Sequence, residues 1–270
     1  MSDALATLIE NEVMQPRSPV DVFNLLAGYI DSQGTLHKDV EINEMTGKVE
    51  DILANKQIPE HRRMDGVLAG CIKRIGTITD MNQIRNIVPT LPIPDRNFLL
   101  FAIRRRTHGD QYPTQEECPY CNAIHLYNVN LRNLAVYPMP TPLERERAIS
   151  LPSGKEAKVK ILTGIDEVRR QELDKDKKTA SMSGNSKRVY QSLVSLNGAA
   201  PTIEDLGNLT IADRDAIVAA GMEMEAVMEM HMPVTCKGCQ EQFDIAVIPG
   251  ATQFFYPLVY RASLKRKSNT

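Results

Sequence analysis

The sequence predicts an α+β fold of two pseudo-repeated lobes, each made of short strands and helices, joined by a four-cysteine site. Two pairs of cysteines are the first observation behind this prediction. Cys118 and Cys121 have C-x2-C spacing, and Cys236 and Cys239 repeat that spacing 118 residues later. A repeat of longer segments at nearly the same offset is the second observation, and a proline-rich stretch between the halves is the third.

Segments around the cysteine pairs recur with nearly the same period. Residues 93–97 (Ile-Pro-Asp-Arg-Asn) return as residues 211–215 (Ile-Ala-Asp-Arg-Asp), and both precede an apolar helical stretch. Upstream, the Thr-Gly turn within residues 44–50 matches the one within residues 161–167. Self-similarity at a fixed period indicates a repeated structural unit. Each half is therefore predicted to run in one order: strand, Thr-Gly turn, helices, Asp-Arg helix, cysteine pair, strand.

The same pattern predicts the boundaries of five segments. Residues 138–150 contain alternating prolines, which favour a stiff, extended linker between the halves. Apolar residues recur at helical spacing between residues 20 and 30, which predicts a helical arm before the first repeat. The predicted segments are an N-terminal helical arm (1–34), a first lobe (35–137), a Pro-rich linker (138–150), a second lobe (151–250) and an aromatic and basic tail (251–270).

Composition excludes several classes of protein. The chain has 270 residues and a net charge of −2, which argues against whole-molecule attraction to nucleic acid. It has no run of eighteen apolar residues, so we expect no membrane span. Its first residues lack a basic segment followed by a long apolar run, so we expect no secretion signal. Paired thiols without a secretion signal favour metal binding over disulfides.

The cysteine pairs are the strongest candidate site. Two C-x2-C knuckles supply the four thiolates of a tetrahedral zinc site, so we predict structural Zn²⁺ bound by Cys118, Cys121, Cys236 and Cys239. Four thiolates fill the coordination sphere, which leaves no position for a catalytic water. The fifth cysteine, Cys71, lies among apolar residues and is predicted to be a buried core residue.

Two other functions compete with structural zinc. Cys-Pro-Tyr-Cys, residues 118–121, is the active-site sequence of glutaredoxins, which would make the chain a thiol enzyme. In glutaredoxins this sequence opens a helix that lowers the thiol pKa, whereas an alternating strand is predicted here at residues 124–131. A zinc-ribbon nucleic-acid-binding or transcription factor is the second alternative, and a zinc enzyme would need an open coordination position. We find no convincing catalytic set.

The repeated acidic and basic residues have a structural explanation. The Asp-Arg pairs at 95–96 and 213–214 could form acid–cation sites, but helix capping with local ion pairing explains their repetition more simply. Asp95 is accordingly predicted to be an N-cap. Glu50 and Glu167, which follow the Thr-Gly turns, are predicted to be acidic residues at helix starts.

The C-terminal segment is a candidate partner-binding site. Its aromatic residues could anchor a partner protein, as aromatic side chains often do, or they could pack back on the core. The candidate partner-binding residues are Phe254, Phe255, Tyr256 and Tyr260. The basic residues at 265–267 are predicted to form a solvated terminus.

The motifs together resemble the T-even-like baseplate proteins of contractile-tailed bacteriophages, a family that includes hub subunits and hub assembly chaperones. The resemblance rests on the Leu-Pro-Ser-Gly strand start at 151–154, the Thr-Gly-x-x-Glu turn, the Asp-Arg helix and the basic segment at 104–109 that leads to a cysteine knuckle. It covers most of residues 36–250. It implies a non-enzymatic role at the tail tip, binding to hub or tail proteins and no small-molecule substrate. It also implies action in the host cytoplasm during assembly and in the virion tail baseplate.

Overall fold

The structure, a computed structural model, describes residues 22–177, 179–249 and 252–256, of which 252 and 253 are described by backbone alone. Helices make up 40% of the described residues and strands 29%, which confirms the predicted α+β class. Among the described residues, no helix is long and apolar enough to cross a membrane.

Both halves of the chain use the same order of elements. The first half contains β1 (Val22–Ile30), β2 (Leu36–Ile42), α1 (Gly47–Ala54), α2 (Glu60–Cys71), β3 (Ile72–Ile75), α3 (Met81–Ile87), α4 (Ile93–His108), β4 (Gln111–Glu117), β5 (Ile124–Asn130) and β6 (Val136–Tyr137). The second half contains β7 (Glu146–Ser150), β8 (Glu156–Lys160), α5 (Gly164–Lys175), α6 (Gly184–Ser192), β9 (Leu193–Leu196), α7 (Ile203–Gly207), α8 (Ile211–Met224), β10 (Val227–Met228), β11 (His231–Thr235) and β12 (Gln242–Ala246). Short 3-10 helices lie at Val88–Thr90, Leu131–Asn133 and Thr252–Phe255.

Each half has a three-stranded antiparallel sheet and a separate hairpin. The sheets are β1-β2-β3 and β7-β8-β9, and the hairpins are β4-β5 and β11-β12. Both sheets share an irregularity, because the register shifts after Glu41 where β2 pairs with β3 and after Lys158 where β8 pairs with β9. Strands β6 and β10, one from each half, pair with each other. Each half therefore combines a similar sheet with a similar hairpin, and the β6-β10 pair joins the halves.

The strand β1 lies between two apolar cores. Leu25 packs in the first core, whereas Leu26 and Ala27 pack in the second. The first core also contains Phe254 and Phe255 from the end of the described chain. Neither core is therefore built from one half alone.

The predicted helical arm is wrong where the structure describes it. Residues 22–30 form β1, and residues 1–21 lie outside the described residues. Leu25 to Gly28 are buried in succession. An amphipathic helix would expose part of such a run, whereas a strand covered on both faces buries all of it.

The predicted linker differs too, because its last five residues form β7. The other segment boundaries stay predictions.

Asp95 does not cap a helix as predicted, because α4 begins two residues earlier, at Ile93. Its carboxylate, which is fully buried, instead accepts hydrogen bonds from the backbone N–H groups of Leu26 (2.6 Å), Ala27 (3.0 Å) and Gly28 (2.7 Å). Burial raises the pKa of Asp95, and these three hydrogen bonds oppose that rise. The carboxylate therefore fixes the middle of β1 against α4.

The described part of the aromatic tail, residues 252–256, packs back on the protein. Phe254 and Phe255 are 1% and 0% exposed, and the ring of Phe254 lies 4.9 Å from that of Phe101, centroid to centroid. The Nε of Arg104 donates to the carbonyl of Phe254 at 3.0 Å. The partner-binding role predicted for Phe254 and Phe255 disagrees with this burial, since apolar core packing explains both rings. Tyr256 is half-buried against the same core.

We predict that Asp95→Ala lowers the free energy of unfolding by about 3 kcal/mol, because three buried N–H groups lose their acceptor. Denaturant unfolding followed by circular dichroism measures the change. Asp95→Asn is the matched control, since it keeps the shape and one acceptor oxygen and should lose less. Unfolding of Asp95→Ala at the wild-type denaturant concentration would contradict this role.

Candidate metal centre

The two cysteine knuckles lie in the turns of the two hairpins. Cys118 and Cys121 connect β4 to β5, and Cys236 and Cys239 connect β11 to β12. Cys118 and Cys236 are buried, whereas Cys121 and Cys239 are exposed. Each hairpin thus presents one inner and one outer sulfur at its tip.

The two turns have the same backbone geometry. Asn122 (φ 57°) and Gln240 (φ 65°) both adopt the left-handed conformation, directly after the second cysteine of each pair. The N–H of Asn122 donates to the carbonyl of Cys118 at 2.9 Å, and that of Gln240 donates to the carbonyl of Cys236 at 3.1 Å. Tight turns of this kind point both sulfurs of a C-x2-C pair to one side.

The four sulfurs converge on one point. All four Sγ atoms lie within 4.8 Å of one another. The Sγ atoms of Cys118 and Cys239 are 3.7 Å apart, and those of Cys121 and Cys236 are 3.6 Å apart. A disulfide would need about 2.05 Å. Four sulfurs at about 2.3 Å from a tetrahedral zinc ion are about 3.8 Å apart, so the arrangement fits a four-thiolate metal site.

Backbone N–H groups stabilise the thiolate form of Cys236. The N–H groups of Cys239 and Gly238 lower the pKa of Cys236 to about 6, against the effect of burial. The N–H of Gly238 lies 3.3 Å from that sulfur. Since the thiolate is the form that binds a metal ion, these N–H groups favour ligation.

A second layer of contacts holds the two hairpins together. Burial, followed by the nearby sulfur of Cys236, raises the pKa of Tyr127. Lys237 reaches across from the other hairpin, and its Nζ donates to the carbonyl of Leu126 at 2.8 Å. The ring of Phe243 lies 5.7 Å from the Tyr127 ring. The sequence did not single out Tyr127 or Lys237, because their roles depend on which hairpins meet.

The turn at Cys118 and Cys121 is not followed by the helix that a glutaredoxin-like active site requires. Strand β5 follows the Cys118–Cys121 turn, so no helix begins there to lower a thiol pKa in the glutaredoxin manner. Cys71 is fully buried away from the four-sulfur cluster, and burial raises its pKa to about 12. Such a thiol is inert, as expected for a core residue.

We predict that the purified chain binds one metal ion, and that Cys118→Ser and Cys239→Ser each release it, because each removes a thiolate from a different hairpin. Elemental analysis under reducing conditions measures metal per chain. Cys71→Ala is the control and should keep its metal, although the cavity should cost about 2 kcal/mol of stability. Full metal content in either serine variant would contradict a shared site.

Comparison with known proteins identifies the family. A family model described as T4 bacteriophage base plate protein matches residues 35–256, more than four-fifths of the chain. The match begins just before β2 and includes both cysteine hairpins. The comparisons with curated proteins and with solved structures each gave no match. The chain therefore belongs to the T4 bacteriophage base plate protein family.

Proposed function

We propose that this chain is a non-enzymatic hub component or hub assembly chaperone of the phage baseplate, and that it binds other hub or tail proteins. Membership of the baseplate family supports a structural role in the baseplate. The observation that carries the proposal furthest is the convergence of two distant hairpins on one four-sulfur site. Such a site stabilises a scaffold and offers no open position for chemistry.

The proposed metal is Zn²⁺ in a structural role. Soft thiolate ligands and tetrahedral geometry suit zinc, which has no redox chemistry of its own. Binding to the folded chain would add its free energy to folding, because the unfolded chain does not hold the four sulfurs together. Zinc would thereby tie residues 118–121 to residues 236–239.

The two halves are proposed to be copies of one ancestral unit. Their common element order and their common register shift support this proposal. A tertiary contact is also shared, because the N–H of Met45 bonds to Thr107 and the N–H of Leu162 bonds to Glu225. Each pair joins the loop before the first helix of its half to the end of the long helix.

Two aromatic residues remain in the partner-binding proposal. Tyr256 is half-buried and Tyr260 lies outside the described residues. The proposed sites of action are the host cytoplasm during assembly and the tail baseplate of the virion. A permanent component would be found in purified particles, whereas an assembly chaperone would not.

We predict that phage carrying Cys118→Ser or Cys239→Ser produce few complete baseplates, because the loosened hairpins no longer support binding to hub or tail proteins. Electron microscopy of lysates counts baseplates, and mass spectrometry of purified virions tests for the chain. Phage carrying Cys71→Ala serve as the control. Normal numbers of infectious particles from phage that lack the chain altogether would overturn the proposed function.

A further inference from the structure

The two halves of the chain meet through a short backbone bridge. The N–H of Ile93 donates to the carbonyl of Leu162 at 3.0 Å, and the N–H of Gly164 donates to the carbonyl of Leu91 at 3.1 Å. The start of α4 is therefore paired, strand-like, with the loop that leads into α5. This pairing, together with the side chains around it, is called the internal joint below.

A buried arginine completes the internal joint. Arg96 of α4 is 3% exposed, and its guanidinium contacts Asp65 of its own half at 2.7 Å and Glu167 of the other half at 3.2 Å. The guanidinium lies directly on Gly164, where an added Cβ would be 2.7 Å from the Cζ atom of Arg96. A glycine at the start of α5 is therefore required for the arginine to reach the glutamate.

The arginine side of the joint occurs a second time, at the start of α8. Arg214 lies 118 residues after Arg96, and it hydrogen-bonds to Ser186 of α6, the second helix of its half, as Arg96 contacts Asp65 of α2. The Nε of Arg214 is buried and has no hydrogen-bond partner among the described residues. Ile211 is 69% exposed, whereas Ile93, its counterpart in the internal joint, is half-buried. We call Ile211, Arg214 and Ser186 the second arginine face. No described residue packs on it as residues 162–167 pack on the first.

The glycine side of the joint also occurs a second time, at the start of α1. Gly47 stands at the position of Gly164, and an added Cβ there would meet nothing within 4 Å. Glu50 stands at the position of Glu167, and no ion pair joins it to any described residue. The loop before it is held as in the other half, since the N–H of Met45 bonds to Thr107. We call Met45, Gly47 and Glu50 the second glycine face. No described arginine packs on it as Arg96 packs on Gly164.

We propose that a second copy of this chain occupies these faces, head to tail, so that the start of α8 in one copy docks on the start of α1 in another. Arg214 would lie over Gly47 and reach Glu50, and the backbone of Ile211 would pair with the loop at Met45. The proposal rests on the correspondence between the halves proposed above and not on the baseplate role.

A second copy fits better than an unrelated partner because both faces belong to this chain, one with Arg214 at its centre and the other with Glu50. Each face already has a working counterpart in the internal joint, which shows that surfaces of this type fit together. The two faces are different patches, so the contact is heterologous. Heterologous contacts close into rings or extend into filaments, depending on the rotation between copies.

The test is the association of the purified, metal-loaded chain, measured by sedimentation velocity at rising concentration. The mass should rise above the 30.2 kDa of one chain. Gly47→Ala should raise the dissociation constant about tenfold or more, because its Cβ would clash with the docked guanidinium while meeting nothing in a single copy. A mass of one chain at every concentration, or undiminished association of Gly47→Ala, would overturn the proposal.

Two controls make the result specific. Gly221→Ala adds a methyl group ten residues after the start of α8, where the added Cβ likewise meets nothing within 4 Å, and it should leave the dissociation constant unchanged. Arg214→Glu and Glu50→Arg should each weaken association, and the double variant should restore it, since the ion pair is then reversed. Failure of the folded double variant to associate better than either single variant would also overturn the proposal. Baseplate defects play no part in these readouts, so the proposed function can fail separately.

Discussion

The meeting of four thiolates at one point is the constraint on which the rest of this structure depends. Two hairpins that are 118 residues apart in sequence present their sulfurs to each other, with cross-hairpin distances of 3.6 and 3.7 Å. This spacing fits a four-thiolate metal site, in which a bound cation would compensate the charge of the thiolates. The contacts of Tyr127 and Lys237 then orient the hairpins around that centre.

The remaining joints between the halves act at a distance from the cysteines. Strands β6 and β10 pair across the halves, and the buried Arg96 forms an ion pair with the partly exposed Glu167. Asp95, its neighbour, binds the backbone of β1, which lies between both cores. Adjacent residues of one helix thus fix both the first sheet and the other half.

The sequence predicted best where chemistry alone decides the outcome. Cysteine type and spacing were sufficient to group Cys118, Cys121, Cys236 and Cys239, because few other arrangements use two C-x2-C pairs. The prediction from sequence was wrong where contacts between residues far apart in the chain determine the local structure. The apolar run in β1 fits a helical period and a buried strand equally, and only its position between two cores makes it a strand. The acceptor role of Asp95 depends on N–H groups 67 to 69 residues upstream, which local capping rules do not include.

Zinc K-edge X-ray absorption of the purified chain would show directly whether both hairpins bind one metal ion. We predict a coordination shell of four sulfurs at about 2.3 Å, with one zinc ion in each chain. That result would establish a closed centre formed by both hairpins. A shell containing nitrogen or oxygen ligands, or a chain purified under reducing conditions without zinc, would contradict it.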